Sequence, residues 1–183
     1  MAGPNAEMTK RFCRRWRDKA DQYDDTSLDG AFDRFFSDFV AFNRLYTHLN
    51  QHAARQVTGD RKQATSRFAS VVGADHLLQA IRAGGREDDI SRLATLIEPG
   101  GGFYLISEHS VDRPDRERNQ DLLDRLRGDN PRKKIEALLE YLYQVRCNMF
   151  HGAKDFEHRQ LQLLQPATRC LECLVRAGLD TLA

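Results

Sequence analysis

The sequence predicts an all-α fold, an up-and-down helical bundle of four or five main helices with short extra helices and one charged loop insertion. Apolar residues recur at i, i+3, i+4 and i+7 over several long stretches, which is the spacing of helices with one buried face. The strand-like run Phe103–Ile106 has no partner segment with which to form a sheet. A chain of 183 residues with 40% apolar content is expected to be one domain, residues 1–183, around one core.

The charge balance and the cysteines narrow the class of protein. Lys and Arg number 28 and Asp and Glu number 27, so contact with a nucleic acid would have to depend on a local patch. No apolar run reaches the roughly 18 residues of a membrane span, and the first residues lack the apolar core of a signal peptide. Four cysteines without an export signal indicate reduced thiols and a cytoplasmic location.

The first two predicted helices differ in character. Residues 1–8 are expected to be a loose terminus, and residues 9–23 form a basic helix that either docks through Phe12 and Trp16 or contacts a phosphate backbone. The next helix, from about residue 28 to residue 56, follows a cluster of good N-cap residues. Its aromatic side chains predict that it is the centre of the core; they are Phe32, Phe35, Phe36, Phe39, Phe42 and Tyr46.

From residue 61 onwards the chain is predicted to alternate helices with breaks. Residues 107–120 are rich in charge and are expected to form an exposed loop. Pro131 suits the first position of a helix, because its missing N–H would have no partner there. Pro166 is expected to kink or restart the last helix. The helices predicted after residue 61 are residues 66–83, 86–97 and 121–127, the helix that begins at Pro131, and residues 155–182.

The helix that begins at Pro131 departs from its own pattern at one residue. At about 100° per residue, Arg146 falls near the centre of the apolar stripe. An arginine on an apolar face needs a partner for its guanidinium, which is either a ligand or an acid such as Asp33, Asp38 or Glu140. The stripe consists of Ile135, Leu138, Leu139, Leu142, Val145 and Met149.

The end of the same helix carries a motif. The run Arg146-Cys-Asn-Met-Phe-His151 resembles the R-x4-6-H motif of the HEPN superfamily (higher eukaryotes and prokaryotes nucleotide-binding), and Gly152 and Lys154 are similar to residues that trail it. The stretch Phe36–Tyr46 resembles the aromatic helix ending in F-N-x-L-Y of some prokaryotic HEPN groups. Cys147 stands where the family usually has Asn, Asp or His, with Asn148 one place later. The resemblance implies a small helical domain, in many members a ribonuclease.

The resemblance also implies a chemistry that needs neither a metal nor a cofactor. A metal-independent endoribonuclease of this type would use the 2′-hydroxyl of the RNA as the nucleophile and leave a 2′,3′-cyclic phosphate. His151 suits proton transfer, because an unperturbed pKa of about 6.5 keeps both protonation states available, although it is also a natural helix-end residue. Arg146 offers a planar fork of donors for phosphate oxygens. Asn148 is expected to orient the histidine or hold phosphate, Lys154 to add charge, and Asn43 to be either a neighbour of the site or a satisfied core group.

Geometry links this chemistry to a homodimer. Arg146 and His151 lie about 140° apart on a straight helix, so one chain cannot turn both towards one phosphate unless the helix ends between them. A two-fold dimer would bring two copies of each into one cleft, and the resemblance implies such a composite site. The expected partners are RNA, with tRNA and mRNA as candidates, and a cognate antitoxin, in a toxin or bacterial defence role. The alternative is a non-catalytic module of the same fold that binds RNA, a nucleotide or a protein.

The spacing of cysteine and histidine raises a metal site as a further alternative. Cys147 and His151 are i, i+4, and Cys170 and Cys173 form a C-x2-C pair. Because zinc-binding C-x2-C pairs usually lie on turns and this pair lies within a predicted helix, buried or half-buried thiols are the preferred interpretation, with no metal. Of the remaining histidines, His158 is expected to lie nearest the site.

Overall fold

The computed structural model describes residues 4–106, 115–150 and 157–182. Within these ranges the chain is helical or irregular and contains no strand, so the all-α prediction is confirmed. A π-helical segment, Gln63–Arg67, joins α3 to α4, and a 3-10 turn, His158–Gln160, precedes α9. The helices are α1 (Pro4–Ala20), α2 (Leu28–Gln51), α3 (Asp60–Lys62), α4 (Phe68–Val72), α5 (Ala74–Ala83), α6 (Glu87–Leu96), α7 (Arg116–Arg127), α8 (Pro131–Phe150) and α9 (Leu161–Asp180).

Local capping explains where α2 and α8 begin. The Ser27 hydroxyl accepts a hydrogen bond of 3.1 Å from the backbone N–H of Gly30, which satisfies one free donor at the start of α2. The Asn130 side chain accepts a bond of 3.0 Å from the N–H of Lys133 in the first turn of α8, where Pro131 has no N–H to satisfy. Both starts were predicted from the sequence and are confirmed.

Several predicted boundaries are wrong. Helix α1 begins at Pro4, so residues 4–8 are helical and not a loose terminus. Helix α2 ends at Gln51, five residues early. The predicted helix 66–83 is broken at Gly73, whose φ of +96° only glycine adopts at little cost. Helix α7 begins at Arg116 because the Asp115 carboxylate accepts the N–H of Arg118 at 3.0 Å. Residues 116–120 are therefore not part of a loop, and residues 107–114 lie outside the described chain.

The core is centred on the aromatic face of α2, as predicted. Phe42 is fully buried and meets three rings edge-on, those of Phe68 at 4.9 Å, Tyr46 at 5.1 Å and Phe39 at 5.5 Å between centroids. Helix α9 packs against α2 at Gly178, where an added Cβ would lie 2.7 Å from Leu45 and 2.9 Å from Phe68. The side chains of Leu45 and Phe68 therefore occupy the space that a Cβ at residue 178 would need.

The remaining helices surround this pair. Helix α9 also contacts α5 and α6, while α8 packs against α5, α7 and the π-helical segment. Pro166 lies in the second turn of α9, which continues through it without the predicted restart. Helix α1 lies along α2 through the buried Thr9, Cys13 and Ala20. In the described part of the chain, no helix has both the length and the apolar content that crossing a bilayer requires.

Candidate functional site

An open groove of about 590 Å³ lies between α1, α2 and α8. It combines aromatic rings with two arginines, an asparagine and a threonine, so it offers both π faces and hydrogen-bond donors. We call it the α1–α2–α8 groove. Its lining residues are Met8 and Phe12 of α1, Phe36, Phe39, Val40, Asn43, Arg44 and Thr47 of α2, and Arg146 of α8.

Arg146 occupies the α8 side of the groove. Its half-buried guanidinium carbon lies 5.9 Å from the ring centroid of Phe39 and 5.9 Å from that of Tyr143. At these distances the positive charge is attracted to both ring faces, which favours one orientation of a long and otherwise flexible side chain. The arginine that the sequence placed on an apolar stripe therefore lies between aromatic rings and faces a groove.

The acids that were candidate partners for Arg146 lie elsewhere. The Asp38 carboxylate is 3.5 Å from the Nε of Arg17. Glu140 pairs with Arg125 at 2.8 Å and also with Arg61. Asp33 is exposed on α2. Among the described residues, none of these three carboxylates forms an ion pair with Arg146.

Tyr143, one of the two aromatic residues beside the Arg146 guanidinium, is itself held by a hydrogen bond. Its hydroxyl donates to one oxygen of Asp60 at 2.9 Å, and the hydroxyl of Tyr46 donates to the other oxygen at 2.6 Å. Burial and the Asp60 carboxylate raise the pKa of Tyr143 to about 12, so the phenol stays protonated and keeps its hydrogen bond. The ring on which the guanidinium lies is thereby held in place by a shared acceptor.

Asn43 and Arg44 of α2 line the same groove. Both are half-buried, and they come from the stretch that resembles the HEPN aromatic helix. Arg44 makes no ion pair with any residue that the structure describes, so its charge is available to a ligand. Sequence reasoning singled out Asn43 but not Arg44. The signal was present, because Val40, Arg44 and Thr47 follow the i, i+4, i+7 spacing of a second face beside the aromatic one.

Asn148 lies on the opposite side of α8. Its side-chain N–H donates to the carbonyl of Leu105 at 2.9 Å, and its oxygen accepts from Gln144 at 2.9 Å. It lines a narrow cavity of about 50 Å³ near Phe103. Two residues along a helix correspond to about 200°, so Arg146 and Asn148 cannot share a face. The structure brings Arg146 and Asn43 together and places Asn148 apart from them.

The other predicted site residues contribute less to the geometry. His151 and Lys154 lie outside the described residues, and their roles stay predictions. His158 is exposed in the 3-10 turn and does not line the groove.

The cysteines that raised a metal alternative are free thiols. Cys170 is buried in α9, and Cys173 and Cys147 are half-buried. Burial raises the pKa of Cys170 and of Cys173, so both favour the neutral thiol over the thiolate that binds metals. No cluster of three or more His, Cys, Asp or Glu side chains suited to a metal occurs among the described residues. The predicted burial of these cysteines is confirmed.

The groove is thus a half-open site with two arginines, Arg44 and Arg146, above a floor of aromatic rings. Such a site suits a planar, anionic ligand, because aromatic rings stack on planar groups and guanidinium groups donate hydrogen bonds to phosphate oxygens. No family model matches the chain, and neither a curated protein nor a solved structure is significantly similar to it.

Proposed function

We propose that this chain is a metal-independent endoribonuclease of the HEPN type, active as a homodimer. The observation that carries the proposal is the location of Arg146. The arginine of the motif lies in an open groove together with Asn43, which comes from the second resembling stretch about 100 residues earlier. Residues chosen by two separate resemblances thus line one site.

The proposed reaction assigns a task to each group. The 2′-oxygen of the RNA attacks the adjacent phosphorus as His151 accepts its proton, and the P–O5′ bond breaks. A protonated histidine, supplied by the second copy, gives a proton to the departing 5′-oxygen. The products are a 2′,3′-cyclic phosphate and a 5′-hydroxyl. Arg146 and Arg44 donate to the non-bridging oxygens, whose negative charge grows in the transition state. Lys154 adds positive charge, and Asn43 holds the nucleotide.

A role in bacterial defence or as a toxin, with tRNA or mRNA as the target and a cognate antitoxin as the inhibitor, follows from the resemblance alone.

The hydrogen bonds of Asn148 to Leu105 and Gln144 indicate that it acts by positioning the end of α8 and does not contact phosphate. The homodimer is proposed because two copies of Arg146 and His151 in one cleft supply both an acid and a base.

A non-catalytic RNA-binding module is the second candidate. It is favoured by the groove itself, since Phe12, Phe36 and Phe39 with Arg44 and Arg146 provide stacking and phosphate contacts without His151. The two candidates differ in what His151 does. An enzyme needs that imidazole for turnover, whereas a binding module needs only the groove.

The test is cleavage of a mixed tRNA and mRNA pool in EDTA by the wild type, Arg146→Ala, His151→Ala and the matched control His158→Ala. We expect His151→Ala to lower the rate by roughly 10²–10⁴-fold and His158→Ala to leave it unchanged. Product ends are analysed for 2′,3′-cyclic phosphate, and each protein is checked for helicity and for mass in solution.

The outcomes separate the candidates. Cyclic-phosphate ends from the wild type and His158→Ala alone, with all four proteins folded and dimeric, would support the ribonuclease. Absence of cleavage by a folded wild type that still binds RNA through Arg146 would favour the binding module. Equal cleavage by wild type and His151→Ala would exclude the proposed mechanism.

A further inference from the structure

The positive charge of this nearly neutral chain is concentrated on α1. Helix α1 holds six basic and two acidic residues, a net charge of +4, whereas the whole chain has a net charge of +1. The rest of the chain is therefore net negative, by three charges. A helix that only packed against α2 would not need this asymmetry, and it is the local patch that nucleic-acid binding by a neutral chain requires.

Three arginines of α1 are free to bind a ligand. Arg11, Arg14 and Arg15 are exposed and make no ion pair within the described residues. The other basic residues of the helix are engaged: Arg17 lies against Asp38, Lys10 lies 3.6 Å from Glu7, and Lys19 lies over the Trp16 ring. We call Arg11, Arg14 and Arg15 the α1 arginine surface.

The α1 arginine surface adjoins the α1–α2–α8 groove. Met8, Phe12 and Arg15 follow the i, i+4, i+7 spacing of one helix face, and Arg11 is three residues from Met8. Met8 lines both the groove and a shallow depression of about 420 Å³ that contains the three arginines, together with Glu7 and Asp18. Groove and surface therefore form one continuous path.

The apolar residues along this path are unusually exposed. Met8 is 54% and Phe12 is 40% exposed, and they are the exposed large apolar side chains of the described chain. Helix α1 packs on α2 through Thr9 and Cys13, which bond to His48 and to the carbonyl of Ala41. Trp16 is partly buried against the core, as docking through Phe12 and Trp16 predicts, whereas Phe12 remains more exposed. Phe12 lines the groove on the side where the α1 arginine surface begins.

We infer that α1 is a second binding site for the RNA strand, where Arg11 and Arg15 bind phosphates of the nucleotides flanking the one in the groove and Phe12 stacks on a base. This inference rests on the proposed function and extends it, since it places the strand along α1. Alternating aromatic and arginine contacts are what sequence-tolerant binding of single strands requires. An anionic membrane is a poorer fit, because only two large apolar side chains protrude while membrane-surface helices present a continuous apolar face.

The test measures binding of an unstructured 2′-O-methyl RNA oligonucleotide, which cannot be cleaved, as a function of salt. The variant is Arg11→Gln/Arg15→Gln. The matched control is Arg92→Gln/Arg132→Gln, which removes two charges at side chains that are 68% and 70% exposed on α6 and on the first turn of α8. Each phosphate contact contributes about 0.7 to the slope of log K against log salt for single strands. We expect the α1 variant to lose about 1.4 of this slope and the control to lose none.

The expected difference in salt dependence can be measured as a difference in affinity. Between 50 and 200 mM salt the affinity of the wild type should fall about sevenfold more than that of the α1 variant. Phe12→Leu should weaken binding roughly 5- to 150-fold, the range for loss of one stacked base. Circular dichroism of each variant establishes that α1 is still folded.

Every outcome decides the inference. Equal slopes for the α1 variant and the control, or an unchanged affinity of Phe12→Leu, would overturn it even if the wild type cleaves RNA. An α1-dependent slope without any cleavage would support it and refute the catalytic proposal alone. A wild type that binds no oligonucleotide would overturn both. Binding to phosphatidylserine vesicles that the oligonucleotide cannot displace would assign α1 to a membrane instead.

Discussion

We expect Asp38 to make the stability of this protein depend on pH, and Asp38→Asn to remove that dependence. The carboxylate is fully buried between α1 and α2, and neither oxygen has a hydrogen-bond partner in the described chain. Its nearest cation is the Nε of Arg17 at 3.5 Å. Burial, reinforced by the charge of Glu172, raises the pKa of Asp38 from 3.8 to about 7, although Arg17 opposes the shift.

The sign and size of the change in the free energy of unfolding follow from the pKa of Asp38 in the unfolded and in the folded chain. Below pH 3.8 the carboxyl is neutral in both the folded and the unfolded chain. As the pH rises from 4 to 7 the unfolded chain loses this proton and the folded chain keeps it, so the free energy of unfolding falls. At about 1.36 kcal/mol per unit the full loss is about 4 kcal/mol, of which about 3 kcal/mol falls between pH 5 and pH 8. This is a large share of a typical total of 5–15 kcal/mol.

The assay is urea unfolding at pH 5 and pH 8, followed by helical circular dichroism. Asparagine has nearly the same shape and cannot ionise, so Asp38→Asn should lose the pH dependence and be the more stable protein at pH 8. Asp33→Asn changes an exposed acid on the same helix and serves as the control. If the wild type lost no more stability than Asp38→Asn between the two pH values, the reasoning from desolvation would be refuted.

Three further changes test the packing of the helical bundle. Tyr141→Phe should raise the free energy of unfolding by about 1 kcal/mol, because the fully buried hydroxyl has no hydrogen-bond partner in the described chain; a loss of stability in thermal unfolding would reveal a partner. Gly178→Ala should lower stability by about 1 kcal/mol or more, since overpacking against Leu45 and Phe68 outweighs the higher helix propensity of alanine; a higher melting temperature would contradict the tight crossing of α2 and α9. Asn119→Ala should cost about 2–4 kcal/mol, because the buried amide makes four hydrogen bonds to the backbone of Leu105, Ile106 and Asp115; an unchanged urea midpoint would show that these bonds do not hold the segment.

The sequence by itself determined the local structure. The helical period placed the aromatic face of α2 and the apolar stripe of α8 in the core, and Ser27 and Asn130 marked where both helices begin. These features depend on interactions between residues at most four apart, which any chain carries in its own spacing. The same helical period showed that Arg146 interrupts the apolar stripe of α8, although the sequence did not reveal which residues surround it.

The tertiary structure alone decided which faces meet. Helical spacing predicts that Arg146 and Asn148 lie on different faces of α8. Only the packing of the helices places Arg146 in one groove with Asn43 and Arg44, and Asn148 next to Leu105. It also buried Asp38 against Arg17 and left Phe12 exposed. Contacts between distant segments depend on the crossing of helices and on shape complementarity across the whole core. No short stretch of sequence contains that information, so the groove becomes visible only when α1, α2 and α8 have packed together.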